Sequence, residues 1–280
     1  VHNKQSIVIV CGATASGKSD FALSIAQQNN GVIINADSMQ IYQEVRILTA
    51  RPTPIQEAMA EHRLYGFVSV MEPFSVAKWL EYAKVAIDSA FSEGKLPIVT
   101  GGTGLYLKSL QEGLSPVPEN DPLMREQATR LWQEQGEKAL QARDPEMAMQ
   151  LKPLDKQRHI RALEVLLATG KSLRYFQALP RIKPYPDAAF TLHFINPPRA
   201  ELYARCNQRF EVMLAEGALE EVKRLKAMNI GEDLPASRIL GLRELGSYLD
   251  GETSLEEGVA KARQVTRNYA KRQVTWFSHQ

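Results

Sequence analysis

The sequence predicts an α/β protein, a parallel sheet flanked by helices and interrupted by an all-helical insertion. Short apolar runs alternate with stretches of helical periodicity near the start of the chain, and the alternation returns towards its end. A glycine-rich loop joins the first apolar run directly to a helix. Between residues 121 and 174 the periodicity is helical only, and prolines bound that stretch: Pro116 and Pro118 before it, then Pro180, Pro184 and Pro186 after it.

The elements follow in order. Residues 6–11 form an apolar strand of the kind buried on both faces, and residues 18–28 a helix with Phe21, Ala22, Ile25 and Ala26 on one side. Residues 32–36 form a second strand ending at Asp37, residues 75–91 a helix, and residues 96–100 a strand ending in Gly101-Gly102-Thr103-Gly104. In the insertion, Leu131, Leu140, Met147, Leu151, Ile160, Leu163 and Leu167 are the candidate core. A strand over 189–195 precedes helices over 200–216, 219–228 and 237–249, the last with Ile239, Leu242, Leu245 and Leu249 inward, and a final helix over 255–277. The expected organisation is a first core segment, 1–116, a helical insertion, 117–185, and a second core segment, 186–280.

At 280 residues the chain can bury one large core or a core with a smaller appended unit. Hydrophobic residues make up 44% and charged ones 24%, as in ordinary soluble proteins, and no apolar run is long enough to span a bilayer, so no membrane partner is expected. Asn3-Lys4-Gln5 runs straight into a strand and leaves no room for a targeting segment, so a cytoplasmic location is expected. Cys11 and Cys206 read as reduced and incidental, and the scattered histidines give no metal-ligand spacing. The net charge is only +2, so a nucleic-acid partner must be argued from the arrangement of charge. Without an exposed heptad or large apolar stripe, a monomer is expected.

The segment Gly12-Ala13-Thr14-Ala15-Ser16-Gly17-Lys18-Ser19 fits Gly-x4-Gly-Lys-Ser, with an apolar strand before it and an amphipathic helix after it. Its glycines let the backbone wrap a phosphate, and the loop N–H groups and helix N-terminus point at the oxygens. Lys18 adds a mobile charge, and the Ser19 hydroxyl is placed to ligate Mg²⁺. A substrate carrying a di- or triphosphate is therefore expected. A nucleotide hydrolase would end another buried strand in an acidic residue, but the strand over 96–100 ends in glycines and Thr103. The well-placed carboxylate is Asp37, which could position Mg²⁺, accept a proton, or cap a helix starting at Ser38. Thr103 sits in a similar glycine-flanked position.

In the last helix Lys261, Arg263, Arg267, Lys271 and Arg272 occur without an intervening acid, with Arg263, Arg267 and Lys271 four apart on one face. Stacked like charges cost about 0.2–0.5 kcal/mol per pair, a cost that a polyanion or an acidic neighbour removes. Tyr269 and Trp276 are either core anchors or stacking surfaces for bases. Arg238, at the start of the helix after Pro235-Ala236-Ser237, is a candidate for reaching the phosphate site. Arg158 and Arg161 line one side of an insertion helix, where they either pair with Asp155 and Glu164 or touch an anionic substrate.

These pieces together resemble the tRNA dimethylallyltransferase family. The resemblance rests on the phosphate loop, on Asn35-Ala36-Asp37-Ser38-Met39-Gln40-Ile41-Tyr42, on Thr49-Ala50-Arg51-Pro52-Thr53, and on Gly101-Gly102-Thr103-Gly104-Leu105-Tyr106. Further on it rests on Gln157-Arg158-His159-Ile160-Arg161 and on Thr266-Arg267-Asn268-Tyr269-Ala270-Lys271-Arg272-Gln273-Val274-Thr275-Trp276. The loop alone is shared with many kinases, whereas the set in this order is specific. Met39 stands where Arg is usual in the family, and Ala13 where Pro is commoner.

The resemblance implies a P-loop nucleotide-kinase-like fold whose loop, residues Gly12 and Thr14 to Ser19, holds the diphosphate of dimethylallyl diphosphate with Mg²⁺. It implies that Asp37 is the base, Thr103 a diphosphate-side hydroxyl and Arg238 a diphosphate-binding cation. It also implies a tRNA partner with adenosine at positions 36 and 37, gripped by Asp37, Ser38, Gln40, Gln157, Arg158, Arg161, Arg263, Arg267 and Lys271. The expected reaction is transfer of the dimethylallyl group to the N6 amine of adenosine 37. The rivals are a nucleotide kinase, an enzyme prenylating free adenine nucleotides, and a non-catalytic nucleotide switch.

Overall fold

The structure is a computed structural model that describes residues 5–119 and 121–280. Asn3 and Lys4, read above as leading into the first strand, lie outside the described residues. The chain divides into two compact units, one built from the segments up to Gln111 and from Tyr185 onward, the other from Glu112 to Pro184. These divisions fall at 112 and 184, against the 117 and 185 expected from the prolines.

The first unit contains five parallel strands in the order β3-β2-β4-β1-β5: β1 (Ser6–Gly12), β2 (Gly31–Asn35), β3 (Glu61–Arg63), β4 (Leu96–Gly101) and β5 (Ala189–Ile195). The apolar run of β1 is explained by burial on both faces. Ile7, Ile9 and Cys11 face one core with Trp79, Ala83, Ile87 and Leu110, while Val8 and Val10 face another with Ala22, Leu23 and Ala26. The helices supplying those partners are α1 (Lys18–Gln28) on one face, and α3 (Val76–Ser92) with α4 (Gly104–Glu112) on the other. Each buried aliphatic side chain contributes about 1.5–3 kcal/mol.

The short α2 (Pro54–Met59) and β3 are absent from the sequence-based expectation. The cause is the edge position of β3: its residues are charged because they need not bury. Arg63 chelates Glu93 at 2.8 Å to each oxygen, and Lys95 joins Glu61 and Glu93 at 2.6 and 2.7 Å. A capping box on Thr53 starts α2.

The helical unit contains α5 (Pro122–Gln135), α6 (Lys138–Gln141), α7 (Pro145–Ala148), α8 (Lys156–Thr169) and α9 (Leu173–Ala178). Leu140, Met147, Ile160 and Leu163 are buried in its core, and Leu131, Leu151 and Leu167 pack at its margin.

After β5 come α10 (Arg199–Ala215), α11 (Ala218–Ala227), a 3₁₀ turn (Pro235–Arg238), α12 (Leu242–Leu249) and α13 (Leu255–Phe277). The single helix expected over 237–249 is thus broken. Gly241 adopts φ +87°, and a Cβ there would press on Leu48 and Phe210 at 3.2 and 3.3 Å, so the backbone turns where those side chains sit. Leu249, expected inward, is 37% exposed. Among the described residues no helix is long and apolar enough to cross a membrane. Both cysteines are free and buried, and burial pushes the Cys11 thiol up to about 11.

Candidate active site

Strand register assembles the site. Cys11 lies opposite Gly101, and Asn35 opposite Thr100, so β2, β4 and β1 end level and side by side. The loops that follow carry Asp37, Thr103 and the phosphate-binding residues, the usual place for a ligand in a parallel sheet.

In the phosphate loop Gly17 adopts φ +93° as the residue before α1, and Lys18 Nζ donates to the carbonyl of Ala13 at 3.2 Å. Burial lowers the Lys18 pKa to about 8; the Asp37 carboxylate opposes that shift and the Arg209 guanidinium adds to it. Two hydroxyls at the loop, those of Ser16 and Thr100, are buried without a hydrogen-bond partner among the described residues, and both residues border a cavity of about 500 Å³. Unpaired buried hydroxyls beside a cavity point to a polar ligand. Lys18, Ser19, Arg46, Arg51 and Arg209 also line it, which suits an anion.

The fold brings two arginines of α10 to the phosphate loop, and the Nη1 of Arg209 donates to Thr14 Oγ1 at 3.2 Å. Its neighbour Arg205 donates to the Ser16 carbonyl at 3.1 Å. Arg238, expected in this role, ends the 3₁₀ turn and is exposed, and its side chain makes no hydrogen bond or ion pair among the described residues. The break at Gly241 removes the helix that was to present it.

Asp37 is held from below by Asn35, which is fully buried. Asn35 Oδ1 accepts the Asp37 N–H at 2.8 Å, and Nδ2 donates to the carbonyls of Asp37 and Leu64 at 3.0 Å each. Trp79, stacked on Tyr106, donates its indole N–H to the Asn35 carbonyl at 2.9 Å. Asp37 Oδ1 accepts the N–H of Met39 at 3.0 Å, so the residue holds a turn, and no helix follows it to be capped. Its Oδ2 has no hydrogen bond among the described residues, leaving one carboxylate oxygen for a ligand. Met39, the departure from the usual Arg, packs its side chain at the margin of an apolar cluster.

Thr103 Oγ1 accepts the Ser38 N–H at 2.9 Å and donates to Ser38 Oγ at 3.2 Å, tying the two loops together. Gln40 donates to the carbonyls of Thr49 and Ala50 at 2.9 and 2.8 Å, so its amide protons are engaged within the chain. Glu221, buried at 2% exposure, accepts the N–H groups of Arg46, Ile47 and Leu48 at 2.7, 2.9 and 2.8 Å and shapes that segment of the cavity wall.

No group of three His, Cys, Asp or Glu side chains suited to a metal exists among the described residues. What the site offers is the Ser19 hydroxyl beside the loop and the Asp37 carboxylate. Hard oxygen donors of this number fit Mg²⁺, which keeps several waters and binds mainly through substrate phosphates.

The basic helix α13 is less free than its sequence suggests. Arg263 pairs with Glu211 of α10 at 2.8 Å, and Arg267 donates to Asn207 and Gln264 at 2.6 Å each. Lys271 and Arg272 are exposed and, with Asn268, Thr275 and Trp276, line a second cavity of about 440 Å³. Tyr269 is half-buried under Arg272, whose guanidinium lies 5.6 Å from its ring. In the helical unit, Arg161 and Arg125 both pair with the buried Glu164, at 2.8 and 3.2 Å. Arg158 reaches Asp155 at 3.4 Å while staying 74% exposed, and Gln157 beside it is half-buried.

Comparison with known proteins bears on this geometry. A family model described as IPP transferase matches residues 40–280, and one described as isopentenyl transferase matches residues 5–68. The chain belongs to the IPP transferase family. A tRNA dimethylallyltransferase of Rhodospirillum centenum is 47% identical over 278 residues, covering 98% of this chain and 88% of that protein. One from Zymomonas mobilis is 43% identical over 277 residues, covering 99% and 89%. Among solved structures, the full-length tRNA isopentenylpyrophosphate transferase of Bacillus halodurans has a TM-score of 0.71 at 31% identity, covering 99% of this chain and 88% of that one. A eukaryotic dimethylallyltransferase acting on tRNA has a TM-score of 0.81 at 26% identity, covering 97% and 69%.

In this IPP transferase, sequence reasoning passed over Arg209 and Glu221, and gave no role to Asn35 and Gln273 although both stand inside recognised motifs. Arg209 was hidden in a helix rich in Arg and Glu, where charge normally reads as solvated surface. Gln273 stood in the recognised C-terminal motif but carried no charge to draw notice.

Proposed function

We propose that the chain transfers a dimethylallyl group from dimethylallyl diphosphate to the N6 amine of adenosine 37 of tRNA, with adenosine at position 36, and releases diphosphate. The observation that carries this reading is the level ending of β1, β4 and β2, which sets the phosphate loop, Thr103 and Asp37 around one place. The family membership and the names of its relatives support it.

The exocyclic amine is a weak nucleophile because its lone pair is delocalised into the ring. Asp37 Oδ2 accepts one N6–H bond, orients the lone pair towards the allylic C1, and takes the proton as the C–N bond forms. The C1–O bond breaks in the same step, and its electron pair leaves with the diphosphate. Lys18, Arg209 and the loop N–H groups stabilise the charge growing there. The Ser19 hydroxyl would help hold Mg²⁺, which would supply further positive charge to the leaving group when bound. The adenine leaves its loop stack to reach the site. Lys271, Arg272 and Arg267 of α13 attract RNA phosphates; separately, Arg158 of α8 offers an exposed charge, with Gln157 and Arg161 as hydrogen-bond donors beside it.

The test is incubation with dimethylallyl diphosphate and either unmodified tRNA or AMP, with products analysed by mass. Prenylated tRNA is expected. Prenylated AMP alone would transfer the reading to free nucleotides, and phosphoryl transfer from ATP to a nucleotide would make the chain a kinase.

A further inference from the structure

We infer that Gln273 is a positioning residue for the diphosphate, acting as a substitute peptide group between the phosphate loop and the Thr103 loop. The inference rests on the proposed prenyl transfer and adds a residue to it. The ladder between β1 and β4 ends at Cys11 and Gly101, and beyond it no backbone hydrogen bond joins the two loops among the described residues. The Gln273 side chain, only 5% exposed, stands in that gap. Its Oε1 accepts the N–H of Thr14 at 2.8 Å, and its Nε2 donates to the carbonyl of Gly102 at 2.9 Å.

A primary amide carries the same donor and acceptor as a peptide unit, so it extends the ladder where the diverging loops cannot meet. The orientation is unique, because one partner is an N–H and the other a C=O. Gly102 is part of the device: a Cβ there would lie 2.1 Å from Nε2 and 3.3 Å from the carbonyl oxygen of Gly12. The amide thus fills the space that a side chain at 102 would take.

Two consequences follow for binding. The Thr14 N–H is engaged by Gln273, and the Thr14 hydroxyl by Arg209, so both fix the loop's shape before an anion arrives. The support comes from α13, two residues beyond Lys271, so the helix with the exposed basic residues also braces the diphosphate site.

The experiment compares wild type with Gln273→Ala, Gln273→Glu, Gly102→Ala and the double variant Gly102→Ala/Gln273→Ala. It reads kcat, KM for dimethylallyl diphosphate, KM for tRNA, affinity for inorganic diphosphate, and thermal unfolding. Gln273→Ala leaves a buried donor and acceptor unpaired, and Gln273→Glu sets a carboxylate against the Gly102 carbonyl. Each should raise the dimethylallyl diphosphate KM by about 10- to 100-fold, with inorganic diphosphate affinity falling in step and the tRNA KM within about twofold. Gly102→Ala should reproduce that defect from the opposite side and add little in the Gln273→Ala background, the non-additivity of one shared contact. An unchanged KM with normal wild-type turnover overturns the positioning role alone, as does lower stability and kcat without a KM change, or full additivity of the two sites. A wild type that binds no diphosphate overturns the prenyl-transfer reading together with this one.

Discussion

The phosphate loop and the basic helix α13 were both singled out from sequence, yet the structure treats them differently. In the loop, Gly17 takes its left-handed turn, Lys18 is drawn inward, and buried hydroxyls are left facing a cavity. On α13, Arg263 is neutralised by Glu211, and Arg267 is held by two neutral amides. A phosphate loop works through backbone direction, which local sequence encodes. A charged helix face works through whatever packs beside it, which local sequence does not encode. Periodic basic residues therefore establish a face but not a free charge.

The strongest way to break this contrast is Asp37→Asn, which keeps the Met39 turn but removes the proton acceptor. Single-turnover transfer should fall by about 10²–10⁴-fold, the range for a positioned acid–base group, with tRNA binding nearly unchanged. A Mg²⁺ titration of the same variant sharpens the result. Restoration by added Mg²⁺ would assign Asp37 to the metal's hydration shell, and a rate within a few-fold of wild type would remove it from the chemistry.

Next in size is Lys18→Ala, which should weaken dimethylallyl diphosphate use severely while leaving thermal unfolding near wild type. Its pH dependence is more telling. The Lys18 pKa is lowered to about 8, so the ammonium that attracts an anion is present below that pH and lost above it. Affinity of the free enzyme for inorganic diphosphate, corrected for the anion's own protonation, should decline as pH rises through about 8, with proton uptake on binding. Lys18→Ala should lack that limb; an identical decline in the variant would assign the titration elsewhere.

The smallest effects belong to α13, where the contrast can be tested directly. Lys271→Ala with Arg272→Ala removes two exposed charges and should reduce the salt dependence of tRNA affinity by roughly two counterions' worth. Arg263→Ala, which removes a charge already paired with Glu211, should change that slope by less. Equal slopes from both variants would show that the Glu211 pair opens when RNA binds.

Most of the fold was readable because strands buried on both faces must be continuously apolar, as β1, β2 and β4 are, and because helix α1 is announced by the loop that precedes it. The polar edge strand β3 and the break at Gly241 were not readable: the first needs no apolar pattern, and the second answers to Leu48 and Phe210 packed beside it. The same division runs through the site. Gly12 to Ser19, Asp37 and Thr103 were named from sequence because each stands at a strand end, a position set by local pattern. Which arginines meet the loop was decided only in three dimensions, where Arg209 reaches Thr14 across 195 residues and Arg205 reaches Ser16 across 189, while Arg238 bonds to neither. Gln273 meets Thr14 across 259 residues, and Glu221 meets Arg46 across 175. Such contacts arise from strand order and helix packing, and a side chain's own neighbours in the chain carry no record of them.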